Sequence, residues 1–526
     1  MKPMKIKLLL LIFLIGLLIK TEAQGTFQKV SVGVDDYIFS IKQSSASQYV
    51  ALGYTQSFGA GAFDFYLLKF DGDGNLLWNK AYGGPENDLG YSVIPTLDSG
   101  FLMLGTSQSF GAGSADVLLI KVDNAGEIEW SKTFGGFAWD DGFEMDQTDD
   151  GGYIIAGRTT SYGAGSGDVY LIRLDANGEY IWNKTFGGFN NEDAQQVIQT
   201  TEGEFVIVGH TTSYGAGNAD VYLIKTDGTG DLIWAKTYGG ANFDYGNSIE
   251  QTSDGGFILT GNTNSFGLVN ADVLLMKLDN DGNVSWTKTY GGTETDYGHY
   301  VKQTNDGGFV IAGQSNSWNG DNIDAYFIRT DNQGDTLWTK VFGGPGDDFS
   351  NAIDFGHDGG FVSVGNSWSF GNNSRGYLIK MDDPGDSNCF QHITTTIVNS
   401  PQLQTGIGAM VNAGISINEP VIEETTASNA DSSICNITVG LNTAAQLWEF
   451  RLYPNPIVQK SILEINNFGQ DYSFQLHNNH GQMVQRMDKL SGNRIEIDKQ
   501  HLISGIYFFQ VISDLQVRAR GKVIIY

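Results

Sequence analysis

The chain has 526 residues, too many for one ordinary domain, so two or more folded units are expected. Its 60 Asp and Glu against 31 Lys and Arg give a formal net charge of -29, which excludes a general attraction to nucleic-acid phosphates or anionic lipid. The 69 glycines weaken helices and the 12% of aromatic residues suit pleated, half-buried surfaces, so the composition points to an all-β protein.

Residues 1–23 read as a secretory signal peptide: Lys2, Lys5 and Lys7 precede an apolar run over 8–19, and Thr21, Glu22 and Ala23 form a cleavage region. The run is shorter than the roughly 20 residues that cross a bilayer, so removal is expected rather than anchoring. No later segment is apolar enough to span, and no transmembrane segment is expected.

Residues 24–386 repeat with a period of 52. Trp78, Trp130, Trp182, Trp234, Trp286 and Trp338 keep that interval, and so do Tyr49, Phe101, Tyr153, Phe205, Phe257, Phe309 and Phe361, which sets the count at seven units. Within one unit, four short β runs are separated by glycine-containing turns. In the third unit, Phe143 leads through Asp149, Asp150, Gly151 and Gly152 into Tyr153, and Asp168 opens a third run that returns through Asn177 and Gly178 to Trp182. The expected fold is a seven-bladed β-propeller of four-stranded antiparallel blades; a solenoid coil is usually shorter, with parallel strands. The last unit has Cys389 where tryptophan would fall, and Thr26 to Val30 resembles an orphan fourth strand. Pairing that strand into the final blade closes the ring and removes two sheet edges. The strand order resembles that of WD-type propellers, which implies that the strand near Tyr91, Phe143 or Tyr245 is innermost and the Trp strand outermost.

Three recurring positions are candidates for ligand contact. Asp36, Asp88, Asp140, Glu192, Asp244, Asp296 and Asp348 place one carboxylate per unit before the inner strand, so in a closed ring they circle one mouth of the channel. Asp64, Asp116, Asp168, Asp220, Asp272 and Asp324 precede the third strand on the same face, with Arg375 in the last unit. Such a rim suits Ca²⁺, Mg²⁺ or a cationic ligand. The competing reading, favoured by repetition in every unit, is that these acids accept backbone N–H bonds from the turns. The Ser-aromatic-Gly loops add Phe58, Phe110, Tyr162, Tyr214, Phe266, Trp318 and Phe370 on the same face. The tryptophans are expected between adjacent blades. The turns 71–75 and 279–283 look like calcium loops but lack a downstream bidentate Glu, and their glycines read as turn residues.

No catalytic constellation is visible. His210, His299 and His357 occupy different phases of the repeat and read as isolated surface residues, and there is no Gly-x-Ser-x-Gly, His-Glu-x-x-His or phosphate-cradling loop. A pair of carboxylates working as a glycosidase stays open. No cofactor is indicated beyond Ca²⁺.

Residues 387–447 lose the period and read as a connector whose Cys389 and Cys435 can form a disulfide in an exported protein. Over 448–526 the motif Leu452, Tyr453, Pro454, Asn455, Pro456, then Gly481 to Val484, Leu502 to Tyr507 with Gly505, and Gly521, Lys522, Val523, Ile524 follow one another. This stretch resembles the type A C-terminal sorting domain of the type IX secretion system. The resemblance implies a small β-sandwich read by the outer-membrane export machinery, and a protein secreted or held on the outer surface of a Gram-negative bacterium. The expected function is then a secreted or cell-surface binding or scaffold protein meeting a polysaccharide or protein ligand. The alternatives are a carbohydrate-active hydrolase or lyase using loop-face carboxylates, and a structural adhesin or surface-layer component.

Overall fold

A computed structural model describes residues 25–387 except 32, 34 and 319–321, then the strands lying between 391 and 438 and most of 450–525. The signal peptide 1–23 lies outside the described residues, as do Cys389 and residues 454–456. The chain divides into two compact units, 1–440 and 441–526.

The first unit contains seven antiparallel sheets. Blade 3 shows the plan: Asp140–Gln147, Tyr153–Thr159, Asp168–Leu174 and Tyr180–Gly187 pair in sequence order from the inside outward. The same four runs recur as blade 1 from Asp36, blade 2 from Asp88, blade 4 from Glu192, blade 5 from Asp244 and blade 6 from Asp296. Each inner strand packs on the inner strands of its two neighbours, and that of blade 1 packs on blade 7, which closes the ring. Blade 7 takes Asp348–Phe355, Phe361–Ser367 and Arg375–Met381 from the last repeat and Gly25–Val30 from the other end of the array, with Phe27 opposite Lys380. The orphan strand thus fills the place left by the degraded repeat.

The second and third strands are mostly apolar and buried, as in Phe101–Ser107 and Asp116–Val122, where every residue is buried and only Thr106, Ser107, Asp116 and Lys121 are polar. Both faces of such strands meet a neighbouring blade, so the hydrophobic pattern is continuous rather than alternating. The tryptophans seal these contacts. Trp182 lies 6.0 Å from Phe205 of the next blade, and Trp286 lies 6.0 Å from Phe309. A Cβ on Gly178, whose φ is 74°, would stand 2.5 Å from Trp130, so the turn glycine is fixed both by its left-handed backbone and by the ring beneath it. Phe27 takes the missing tryptophan's place against Gly74.

The Trp strand, expected to be outermost, is not. Strands from the stretch read as a connector pair outside it in every sheet, so each blade has five strands. They run the ring in reverse: Gln391–Ile393 on blade 6, Ile397–Asn399 on 5, Gln404–Ile407 on 4, Met410–Asn412 on 3, Ser416–Asn418 on 2, Glu423–Thr426 on 1, and Ser432–Thr438 on the N-terminal strand of blade 7. Successive starts lie 6, 7, 6, 6, 7 and 9 residues apart, which at about 3.3 Å per extended residue is roughly 20 Å per blade. The belt satisfies backbone groups that a bare fourth strand would leave as an open edge. Cys435 sits in its last strand, opposite Gln28.

The second unit has a three-stranded sheet, Phe450–Tyr453, Lys460–Ile465 and Arg494–Asp498, and a four-stranded sheet, Met483–Leu490, Tyr472–Asn478, Gly505–Ser513 and Gln516–Ile525. Leu463, Ile495 and Ile497 from the first and Phe474, Phe509 and Val511 from the second form one core, a small β-sandwich. Tyr453, Gly505, Tyr507, Gly521 and Lys522 lie in its strands, with the Tyr507 ring buried.

Candidate functional site

The recurring acids are placed at the loop end of the inner strands, but under cover. Asp36, Asp88, Asp140, Glu192, Asp244, Asp296 and Asp348 are all 0% exposed. Asp140 accepts the Gly136 N–H at 2.6 Å, the Ser161 hydroxyl at 2.6 Å and the Thr159 hydroxyl. Glu192 takes the same bonds from Gly188 and Thr211, Asp244 from Gly240 and Ser265, Asp88 from Gly84 and Ser109, and Asp296 from Gly292 and Ser317. Asp348 binds Gly344 and Ser369, and Asp36 binds Ser31 and Thr55. Each acid therefore ties the turn leaving one blade to the loop of the next. The second series does the same within a loop: Asp116 accepts the Ala112 and Gly113 N–H groups at 2.8 and 3.1 Å. Burial pushes Asp36, Asp116, Asp272 and Asp348 up to about 6, against the hydrogen bonds that lower them.

The Ser-aromatic-Gly side chains turn inward. Phe58, Phe110, Tyr162, Tyr214, Trp318 and Phe370 pack half-buried against the blade cores, and Phe266 is half-buried as well. Tyr162 and Tyr214 donate to the Gly135 and Gly187 carbonyls at 2.7 and 2.9 Å. In the turn 71–75 the Asp71 carboxylate accepts the N–H groups of Asp73 and Asn75. Among the described residues no group of three or more His, Cys, Asp or Glu is arranged to hold a metal ion.

Residues that break the repeat gather in several places, an aromatic cluster of Tyr37, Tyr54, Phe63, Tyr91 and Trp368 on blades 7, 1 and 2 among them, and two of these places carry charge. One is the loop face of blades 3 to 5. Phe137 is 90% and Phe189 80% exposed, and Trp139 and Phe243 39% and 43%, all in the loops that join consecutive blades. Behind them Asp141 stands opposite Arg158 and Asp193 opposite His210 in the blade registers. Arg158 reaches across to Asp193 at 3.4 Å, His210 lies 3.5 Å from Asp193, and its ring meets Tyr245 edge-on at 4.7 Å. Asp141 accepts from Trp139 Nε1 at 2.7 Å and from Thr106 at 2.9 Å, while burial raises its carboxyl. His210 is thus part of a charged cluster rather than an isolated surface residue. His299 likewise donates from Nδ1 to the Ser350 carbonyl at 2.9 Å, and His357 pairs with Tyr49 at 3.1 Å.

The second place is the axial channel, at the hairpin end of the inner strands. One repeat position there reads Lys42, Ile94, Asp146, Ile198, Glu250, Lys302, Asp354 around the ring. A cavity of about 340 Å³ is lined by all of these side chains but Asp354. Its floor is a plug across the channel: Lys42 donates to Tyr300 at 2.9 Å and lies 3.7 Å from Glu144, and Gln196 donates to Tyr300 at 3.3 Å. Searching for constancy misses both clusters. Reading the same repeat position for its differences would have found them.

Residues 451–526 match the secretion system C-terminal sorting domain. That domain marks proteins sent by the type IX system to the cell surface or extracellular space of Bacteroidetes, so the chain is an exported protein. Regulatory protein FlaEY of Caulobacter vibrioides is 24% identical over 225 residues, which cover 37% of this chain and 23% of that protein. The chain thus spans about a quarter of FlaEY. Among solved structures, an endo-1,5-α-L-arabinanase of Thermotoga petrophila aligns over 72% of this chain and 99% of its own at 10% identity and a TM-score of 0.27. Latent PorU of Porphyromonas gingivalis aligns over 95% and 34% at 8% identity and a TM-score of 0.14. At those scores the propeller fold stands on its own strand pairing. No helix among the described residues is long and apolar enough to cross a membrane.

Proposed function

We propose that this is an extracellular binding protein whose propeller holds a polysaccharide across the loop face of blades 3 to 5. The observation that carries this reading is the exposure of Phe137, Trp139, Phe189 and Phe243 in the loops that enter blades 3, 4 and 5. Contiguous exposed rings mark binding surfaces, and aromatic faces suit the C–H faces of sugars. Asp141, Arg158, Asp193 and His210 behind them supply donors and acceptors for hydroxyl groups. Export brings this surface to where cell-surface and environmental polysaccharides are met.

The purified full chain, applied to a glycan array with reducing-end release followed in parallel, tests it. A retained glycan whose binding falls about tenfold or more in Phe137→Ala and Phe189→Ala supports the reading. Binding of no glycan, with a protein partner captured through the same rings, would replace it. A second reading is a glycoside hydrolase with Asp141 as acid and Asp193 as its partner, favoured by the raised Asp141 carboxyl on the strand next to Asp193. Product formation abolished by Asp141→Asn would establish that reading instead.

A further inference from the structure

The hairpin end of the channel is chemically two-sided. Asp146 and Glu250 come from blades 3 and 5, flanking Ile198 of blade 4, while Lys302 and Lys42 come from blades 6 and 1, flanking Asp354 of blade 7. In a ring of seven, blade 4 faces the junction of blades 7 and 1, so Lys42 lies across the channel from the acidic wall, while Lys302 adjoins that wall at Glu250, whose carboxyl burial raises and Lys302 lowers. Lys42 is occupied by the plug. Lys302 pairs with Asp354 at 3.6 Å, a separation longer than a hydrogen bond, and Asp354 also accepts the Gln43 N–H at 2.9 Å, so the Lys302 ammonium keeps N–H donors for a ligand. Asp146 and Glu250 each accept a backbone N–H of the next blade, from Gln199 and Gln303, and Asp146 also meets the Gln147 N–H. A carboxylate offers about four acceptor sites, so both keep capacity for a ligand.

We propose that this cavity binds a small zwitterion of amino-acid or dipeptide size, its ammonium on the Asp146 and Glu250 wall and its carboxylate at Lys302. The volume of about 340 Å³ is at the small end of small-molecule sites, which suits such a molecule. Four carboxylates against two lysines line or border the site and leave counter-charge short, while burial raises Glu144, Asp146 and Glu250 against the lowering by Lys42 and Lys302. An incoming ammonium supplies the missing counter-charge. The site is separate from the loop face and does not depend on the polysaccharide reading.

Calorimetry of the full chain with a panel of free amino acids and dipeptides, each beside its N-acetyl and C-amide forms, tests the proposal. The expected binder loses about tenfold or more in affinity on either blockage. Asp146→Asn, which keeps a carbonyl acceptor for Gln199, weakens the free ligand but not its N-acetyl form. Lys302→Met weakens the free ligand but not its amide. Ile198→Trp, which fills the cavity without touching a charge, abolishes both, and the melting temperature of each variant reports folding. No binding below roughly 10 mM across the panel, or a binder indifferent to all three substitutions, would overturn the assignment.

Discussion

Positions that recur every 52 residues and positions that do not have different work in this ring. The first residue of every inner strand is an acid, buried and bonded to two neighbouring segments. Six residues further along the same strands the side chain is lysine, isoleucine, aspartate or glutamate, and in six of the seven blades it lines a cavity. Recurrence therefore follows the demand that every blade junction be built the same way. On the binding proposed above, variation follows the ligand, since one ligand on a ring axis or on one sector meets each blade differently. The belt of 391–438 is the exception, a non-recurring stretch with a framework role.

Removing that exception should have the largest effect. Deleting 391–438 uncovers the fourth strand of every blade, and light scattering should show association while the melting temperature falls by about 10 °C or more. A monomer of unchanged stability would show that the belt is not a framework element. Next comes a recurring position. Trp182→Ala removes the ring packed on Phe205 and Gly230 and should cost about 3 kcal/mol in denaturant unfolding.

A smaller effect per group comes from pH. Asp36, Asp116, Asp272 and Asp348 sit near 6 in the folded ring against an unfolded value of 3.8, so the folded state holds protons that the unfolded chain releases. Their contribution is complete below pH 3.8 and is lost as pH rises through 6. Stability should then be higher at pH 5 than at pH 7.5 by about 1 kcal/mol per carboxyl. A flat or rising profile over that window would contradict the burial of these acids. The smallest effect on folding is expected at the exposed rings: Phe137→Ala should change unfolding by less than about 0.5 kcal/mol.

The ring was legible because a Trp or Phe at a fixed interval has one cause, repeated packing, and because Thr26 to Val30 visibly lacked its own blade. The belt was not legible: its strands of three to seven residues are too short for alternation to show, and they borrow their register from the blades. The acidic series was read correctly as a ring, but sequence cannot tell a solvated carboxylate from one enclosed by Gly136, Thr159 and Ser161. The loop aromatics misled for the same reason, since Tyr162 points to Gly135 rather than outward. Arg158 and the channel charges match no motif, and His210, which shares its repeat phase with no other histidine, reads from sequence as an isolated surface residue.

A paired measurement on four variants tests most directly the division between framework and site. Asp140→Asn and Asp244→Asn should lower the melting temperature while leaving glycan affinity unchanged in the folded protein; Phe137→Ala and Phe189→Ala should do the reverse. Loss of affinity in the buried-acid pair at unchanged melting temperature, with the exposed rings indifferent, would contradict the account.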